Sequence, residues 1–260
     1  MKKFMKTAVV VAMTLVLALG IAFATTGCGS NGAFKAAMEP TFPPFDTTDE
    51  ESGELSGFDY ELINAIAEDQ NFEVEWENME FDGLVPAIQA GNIDIVASGL
   101  SITDERKEQV DFSDEYYISG LVVAVAASNK DVKSVDDLGK DDIVGVQIGT
   151  TGAQKANALR KSGQIKHVKT YNGLDVAFKD LETGTIDAVI NDKPVTESYV
   201  AKADGKLKAV GDALDSDPFG IAVKKGNTEL LDMINAGLAN LKENGKYKEL
   251  CDKYEIEGVK

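Results

Sequence analysis

Two short segments far apart in this 260-residue chain repeat one pattern. Ala90-Gly91-Asn92-Ile93-Asp94-Ile95-Val96 and Thr183-Gly184-Thr185-Ile186-Asp187-Ala188-Val189 each read as a helix end, a glycine stop, an Ile-Asp pair and an apolar strand. Each copy emerges at a turn of small or polar residues, Ser98-Gly99 in the first and Asn191-Asp192 in the second. In open α/β sheets the ligand crevice lies at the carboxyl ends of the strands, where such turns sit. The repeat therefore predicts two related α/β lobes with these turns on facing sides of a cleft.

The turn after the first copy carries an oddity. Thr103 is placed to cap a helix starting at Asp104, and Asp104 and Glu105 suit the positive end of its dipole, whereas Arg106 does not. Arg106 is either a solvated surface residue or a ligand contact: beside Ser98, Gly99 and Ser101 a guanidinium can grip a carboxylate with two parallel hydrogen bonds. Gly149-Thr150-Thr151-Gly152 opens a helix of the second half, and backbone N–H groups near Ser101 and Thr151 would complete an anion site. Asp192, before Lys193-Pro194, is a good helix cap and equally an acceptor for a cation. Anion site and carboxylate together describe a zwitterion. Phe42 and Phe81 are plain core aromatics or faces on which a flat side chain stacks.

The intervening elements follow an α/β order. A strand is expected over residues 33–38, a proline-stiffened loop over 39–45, an acidic hairpin tip over 49–54, a helix from Phe58 with Asp59 near its start, and a strand over 72–76. A helix capped by Asp82 stops at Gly91, and residues 92–96 form a strand. In the second half, helices are expected over 132–138, 153–161 and 174–182, and strands over 121–126, 143–147 and 167–171. A strand over 219–223 precedes helices over 228–243 and 247–254. Periodicity does not say which lobe this tail covers.

Composition removes several function classes. The formal charge is −18, and dropping Lys2, Lys3 and Lys6 with the leader makes it −21, which argues against nucleic acid or anionic lipid as a partner. His167 is the one histidine, in a basic surface run, so a Ser/His/Asp or Cys/His system lacks its base. No cluster has zinc or EF-hand spacing, and 149–152 lacks the lysine of a P-loop, so no metal and no cofactor are expected. The first 27 residues join a basic start to an apolar run ending in Thr25-Thr26-Gly27-Cys28, similar to a bacterial lipoprotein signal in which Cys28 is diacylated. A retained membrane anchor is the alternative. Residues 28–32 make a short tether, and Cys251 is left without a disulfide partner.

Six motifs in order resemble one family over essentially the whole chain after Cys28: Thr41-Phe42-Pro43-Pro44-Phe45, Gly57-Phe58-Asp59, Phe81-Asp82-Gly83-Leu84-Val85-Pro86-Ala87, Ser101-Ile102-Thr103-Asp104-Glu105-Arg106, Val110-Asp111-Phe112-Ser113-Asp114 and Gly145-Val146-Gln147-Ile148-Gly149-Thr150-Thr151-Gly152. They resemble the amino-acid-binding proteins of ABC importers, the bacterial extracellular solute-binding family 3. The resemblance implies a two-lobed periplasmic-binding-protein-like fold (type II), each lobe a mostly parallel sheet flanked by helices. Lobe 1 would comprise residues 33–115 and 220–260, lobe 2 residues 121–214, and the hinge residues 116–120 and 215–219. It implies that Arg106 takes the α-carboxylate of an L-amino acid with N–H groups of Ser101 and Thr151, and that Thr150 of the same turn also binds the ligand. Asp192 would take the α-ammonium, with acceptors from Ser98 and Gly99, while Phe42 and Phe81 flank the side chain.

Glu39 and Gln147 stand where family members discriminate the side chain's end. Glutamine-binding members have an aspartate and a lysine there, and an acidic Glu39 without the lysine suits arginine, lysine or histidine. The resemblance thus implies a polar L-amino acid as ligand, either glutamine or a basic amino acid such as these. The expected partners are the free amino acid, the permease subunits of an ABC importer and, through lipid on Cys28 (palmitate among its acyl chains), the outer face of the membrane. The chain is expected to be a monomeric binding protein. The family also contains ligand-sensing modules and cyclohexadienyl dehydratases, which are the alternatives.

Overall fold

A computed structural model describes residues 32–49, 51–214 and 216–259. Residues 1–31, with the leader and Cys28, lie outside the described residues, as do Glu50, Asp215 and Lys260.

Fourteen strands and eight α-helices are described. Lobe 1 begins with β1 (Phe34–Met38), the hairpin β2 (Thr47–Thr48) and β3 (Leu55–Ser56), and helix α1 (Phe58–Gln70). It continues through β4 (Val74–Asn78), α2 (Phe81–Ala90), β5 (Ile95–Val96), α3 (Asp104–Lys107) and β6 (Val110–Phe112). The crossing strand β7 (Tyr117–Ser119) leads to lobe 2: β8 (Leu121–Ala126), β9 (Ile143–Gln147), α4 (Thr151–Ser162), β10 (His167–Tyr171) and α5 (Leu174–Thr183). Then come β11 (Ala188–Asp192), α6 (Lys193–Lys202) and β12 (Leu207–Val210). The chain returns through β13 (Asp217–Phe219) to β14 (Ala222–Lys224), α7 (Thr228–Glu243) and α8 (Lys246–Lys253).

Each lobe is built on a five-stranded sheet, in the orders β4-β1-β5-β14-β6 and β10-β9-β11-β8-β12. The sheets are mixed rather than mostly parallel. β4-β1-β5 and β10-β9-β11 run parallel, while β14 and β8 run antiparallel to both of their neighbours. The physical reason is topological: β8 and β14 are the strands that enter a sheet from a crossing rather than after a covering helix, so they arrive reversed. The two crossings pair with each other, Ser119 opposite Asp217 and Tyr117 opposite Phe219.

The repeated unit has the same geometry in both lobes. Gly91 (φ 76°) and Gly184 (φ 73°) end α2 and α5 in the left-handed conformation that glycine adopts without strain. Asp94 Oδ2 accepts the Lys35 N–H at 3.0 Å and the Asp94 N–H bonds Lys35 O at 2.8 Å. Asp187 does the same to Ile143, at 2.8 and 2.9 Å. Each aspartate thus ties β5 or β11 to the start of the neighbouring parallel strand and fixes its register.

The C-terminal helices cover lobe 1. α7 packs on α1 closely enough that a Cβ on Gly237 would meet Ile66 Cγ2 at 2.8 Å, and Tyr247 and Leu250 of α8 join the same apolar cluster as Phe58 and Leu62. That cluster continues through Phe42, Phe45, Tyr116, Tyr117 and Phe219 around the crossings to Tyr171 and Phe178 of lobe 2.

Four local expectations change. Glu80, not Asp82, stands at the N-cap of α2, because Phe81 is drawn into the first turn where its ring is buried. Residues 132–138 hold only one 3-10 turn, Val135–Asp137. There the Asn129 carboxamide and the Asp137 carboxylate take the N–H groups of Asp131, Val132 and Lys133, which competes with helix bonding. The strand over 92–96 shortens to Ile95–Val96, and that over 219–223 divides at Gly220. Gly220 is where the chain leaves the crossing for the sheet, with Ile102 Cδ1 2.8 Å from the position a Cβ would take.

Asp94→Ala and Asp187→Ala should each cost about 1 kcal/mol, one charge-assisted hydrogen bond to a half-solvated backbone group. Being in different lobes, the two losses should add to within about 0.5 kcal/mol in urea unfolding; a loss in one variant only would break the equivalence.

Candidate ligand-binding site

The turns at the carboxyl ends of β5, β9 and β11 meet between the lobes. Arg106 is 7% exposed, although it follows an acidic first turn. Thr103 does cap α3, its Oγ1 accepting the Arg106 N–H at 3.2 Å. But α3 is a single turn, so Arg106 also belongs to its last turn and the dipole argument against it lapses. Its position is explained by contacts instead. Nη1 donates to Ser101 O at 2.8 Å, Nη2 donates across the cleft to Gly149 O at 3.0 Å, and the guanidinium carbon lies 5.4 Å from the centre of the Phe81 ring. These bonds hold the plane of the group and leave N–H donors over for an anion.

Asp192 ends β11 at the N-cap position of α6, with Pro194 in the first turn, yet its side chain makes no capping bond. It is 4% exposed and Oδ1 has no hydrogen-bond partner. Burial, with the nearby Asp217 carboxylate, raises its pKa to about 7. Asp217, on the crossing strand β13, accepts the Thr151 hydroxyl at 2.9 Å.

At the other end of the cleft Glu39 Oε2 accepts Gln147 Nε2 at 2.8 Å and Thr41 Oγ1 at 2.9 Å. Gln147 Nε2 also donates to Asn172 O at 2.8 Å, so both neighbours of the amide nitrogen are acceptors and the orientation of the amide is fixed. Gln147 Oε1 is left buried with no donor. Burial raises the Glu39 pKa to about 7.

Several expected contacts are used differently. The Ser98 hydroxyl accepts the Glu39 N–H at 3.0 Å. The Thr150 hydroxyl caps α4, accepting the Ala153 N–H at 3.1 Å and donating to Gln147 O at 2.8 Å. Ser101 bridges to Phe219 through its backbone. Phe42 and Phe81 are both buried, Phe42 against Phe45 and Phe219 with ring centroids 6.0 and 6.1 Å away, and both rings border the cleft turns. Gly99 (φ 50°) has the Phe42 ring where a Cβ would go, with Cδ1 2.8 Å from that point, so no other residue fits there.

Residues that sequence reasoning passed over lie directly beneath. Asp59 Oδ2 accepts the Gly99 N–H and the Tyr116 hydroxyl, both at 2.7 Å, and Tyr116 O in turn accepts the Tyr247 hydroxyl. Asp59 thereby holds the Gly99 peptide and joins it to the crossing strand. Its neighbour Asp46 is fully buried with both carboxylate oxygens unpartnered. Burial, then mutual repulsion, pushes Asp46 well above the usual carboxylate range, and burial raises Asp59 to about 6. Position 59 shares a helical face with Leu62, Ile63 and Ile66, which was the available signal that this aspartate is buried. Among the described residues no cluster of metal-ligating side chains occurs, and no helix is long and apolar enough to cross a membrane.

With this geometry in place, similarity decides the family. The model of the bacterial extracellular solute-binding proteins, family 3, matches residues 34–257. The chain belongs to that family. It is 34% identical over 247 residues to a probable histidine-binding protein of Neisseria gonorrhoeae, covering 90% of this chain and 91% of that one. It is 38% identical over 229 residues to an L-arginine-binding protein of Pseudomonas aeruginosa, covering 85% and 86%. Among solved structures, an ancestral arginine-binding protein bound to arginine superposes with a TM-score of 0.82 at 42% identity, over 86% of this chain and 98% of that one.

The raised carboxylates set a pH dependence for this family member. Glu39 and Asp192 (about 7) and Asp59 (about 6) hold protons in the folded state that the unfolded chain releases near pH 4. Stability is therefore fully present below the unfolded values and is lost as pH rises through the folded ones. The ligand-free protein should melt at a higher temperature at pH 5.5 than at pH 8, with a smaller difference in Asp192→Asn; a melting point that falls on acidification across this window contradicts the assignment.

Proposed function

We propose that the chain is the extracytoplasmic substrate-binding component of an ABC importer and that it captures a cationic L-amino acid, arginine above lysine or histidine. The observation that carries this reading is the charge pattern of the cleft. One end pairs Arg106, with N–H donors to spare, against Asp192, whose Oδ1 is unpartnered, which suits an α-carboxylate and an α-ammonium. The other end presents Glu39 and the donorless Oε1 of Gln147, which suits a side chain that only donates, as a guanidinium does. Relatives named for histidine and arginine agree with this choice. Gly99 contributes its held carbonyl to the ammonium, Phe42 and Phe81 border the aliphatic stem, and the N–H groups at Ser101 and Thr151 assist the carboxylate.

In this reading residues 116–120 and 215–219 are the hinge between lobe 1 (33–115, 220–260) and lobe 2 (121–214). Their support is that the crossings are narrow, two short paired strands. Cys28 carries the lipid that holds a monomer at the outer face of the membrane, beside the permease. The chain binds and does not turn over its ligand, so prephenate and arogenate incubated with it should be recovered unchanged.

Three outcomes are expected. A thermal-shift screen of the twenty amino acids should give its largest shift with L-arginine; an equal shift with L-glutamine would sink the cationic reading. Arg106→Ala should weaken binding by about 2 to 5 kcal/mol in calorimetry, the loss of a charge-assisted contact in a desolvated cleft, and unchanged affinity would remove Arg106 from the site. Because the ammonium needs Asp192 as a carboxylate, affinity should fall as pH drops below about 7, with a proton released on binding in that range. Affinity that is flat from pH 8 to 5.5 argues against Asp192 as the ammonium's partner.

A further inference from the structure

Thr41 touches both lobes and belongs to neither half of the zwitterion site. Its Oγ1 accepts the N–H of Leu174, the first residue of α5 in lobe 2, at 2.8 Å, and donates to Glu39 Oε2 at 2.9 Å. Its carbonyl accepts the Tyr199 hydroxyl of α6 at 2.8 Å. Tyr199 is itself held by stacking on Phe178 of α5, with ring centroids 4.2 Å apart and planes at 7°. The approach is close because Gly173 precedes Leu174. A Cβ on Gly173 would stand 3.2 Å from Thr41 Cγ2, tight for any side chain.

The chemistry of a hydroxyl gives this contact a direction. Thr41 Oγ1 has one proton and two lone pairs. When the α5 N–H occupies a lone pair, the proton is directed to the neighbouring acceptor, and here that acceptor is Glu39 Oε2. The same oxygen receives Gln147 Nε2 from lobe 2. Closure of lobe 2 therefore supplies both the donor that orients the Thr41 hydroxyl and the second donor on the carboxylate. A withdrawn lobe 2 would take away the Leu174 N–H and Gln147 Nε2, and with them the two constraints that it places on the hydroxyl and the carboxylate.

We propose that Thr41 is a positioning residue for side-chain specificity: by accepting the first N–H of α5 and donating to Glu39, it couples closure of lobe 2 to the orientation of the carboxylate that meets the ligand's side chain. This role rests on Glu39 facing that side chain, as in the function proposed above. It goes beyond that reading by assigning specificity to a residue that has no need to touch the ligand.

The test compares L-arginine with L-citrulline, in which a neutral urea replaces the guanidinium, by calorimetry on the full chain. Thr41→Val, which keeps the shape and removes the hydroxyl, should lower the preference for L-arginine over L-citrulline by about tenfold, the scale of one hydrogen bond to a charged group. Thr41→Ser should restore most of it. Tyr199→Phe, which keeps the stack on Phe178 and loses only the bond to Thr41 O, should weaken both ligands alike, because it loosens closure without touching Glu39. Equal loss of both ligands in Thr41→Val, or a Thr41→Ser variant as damaged as Thr41→Val, overturns the proposal; circular dichroism melting confirms that each variant folds. Wild-type protein that binds L-glutamine and rejects L-arginine overturns the cationic reading alone. The same variants are then compared on L-glutamine against L-norvaline, whose side chain offers Glu39 no donor. A preference for L-glutamine that falls in Thr41→Val and returns in Thr41→Ser supports the coupling, and equal loss of both ligands overturns it.

Discussion

The constraint on which this molecule depends is an imbalance of buried charge. Among the described residues Glu39, Asp46, Asp59, Asp192 and Asp217 are buried near the meeting of the lobes, with Arg106 as the buried cation. Carboxylates removed from water must be paired, hydrogen-bonded or neutralised by protons. Asp59 accepts two donors and Asp217 accepts the Thr151 hydroxyl, while burial, then mutual repulsion, raises the Asp46 pKa well above the usual carboxylate range. That leaves Glu39 and Asp192, one at each end of the cleft, with pKa values near 7 and unfilled capacity beside them. In the function proposed above, a ligand with two positive groups and one negative group relieves this state, and a neutral side chain relieves only half of it.

The duplicated α/β unit explains why the carboxylates can be held there. In each lobe a left-handed glycine ends a helix, and an aspartate locks the next strand into register with its parallel neighbour. That strand then delivers a polar turn to the cleft. Lobe 1 delivers Ser98-Gly99 and, further along the same turn, Arg106; lobe 2 delivers Asp192. The repeat supplies rigid strand ends, whereas specificity resides in what differs between the copies: a glycine pressed on Phe42 in one, a buried aspartate before a proline in the other. The same scaffold can therefore change ligand without changing the register of its sheets.

Much of this was legible in the residue order, for identifiable reasons. The strands Ile143–Gln147 and His167–Tyr171 and the helix Thr228–Glu243 carry strong period and clear stops, and they lie where the pattern puts them. Arg106 and Asp192 stood out because a charge occurred at a turn after a buried strand. The dipole of α3 was nevertheless a poor reason to single out Arg106, since a one-turn helix has little dipole to offend. Thr41 and Asp217 gave no local signal, because their partners, Leu174 and Thr151, are distant in sequence and meet them only when the lobes pack. Asp59 did carry a signal, its place on an apolar helical face, and a polar residue in that position is informative because burial demands partners for it. The divided strand at Gly220 and the single turn at Val135–Asp137 reflect competition from tertiary and side-chain bonds that period alone does not register.

The contacts between the lobes also bear on how closure is controlled. Across the cleft run Arg106 to Gly149 O, Gln147 to Glu39, Leu174 N to Thr41, Tyr199 to Thr41 O and, at the exposed rim, Gln154 to Glu105. All are polar, and each replaces a bond to water that the open form would make, so each contributes only about 1 kcal/mol net. Five such bonds, one of them at the exposed rim, set against the cost of burying Glu39 and Asp192, leave the closed form without a large advantage of its own. A ligand shifts such an equilibrium only by its difference in affinity for the two forms. In the function proposed above, that difference is concentrated in groups that sit next to the cross-lobe bonds: Arg106 holds Gly149 with one nitrogen and has donors left for an anion, and Glu39 holds Gln147, whose own Oε1 has no donor. On that proposal, an amino acid that satisfies both ends strengthens the bonds that keep the lobes together, and one that satisfies a single end leaves the other carboxylate buried and uncompensated.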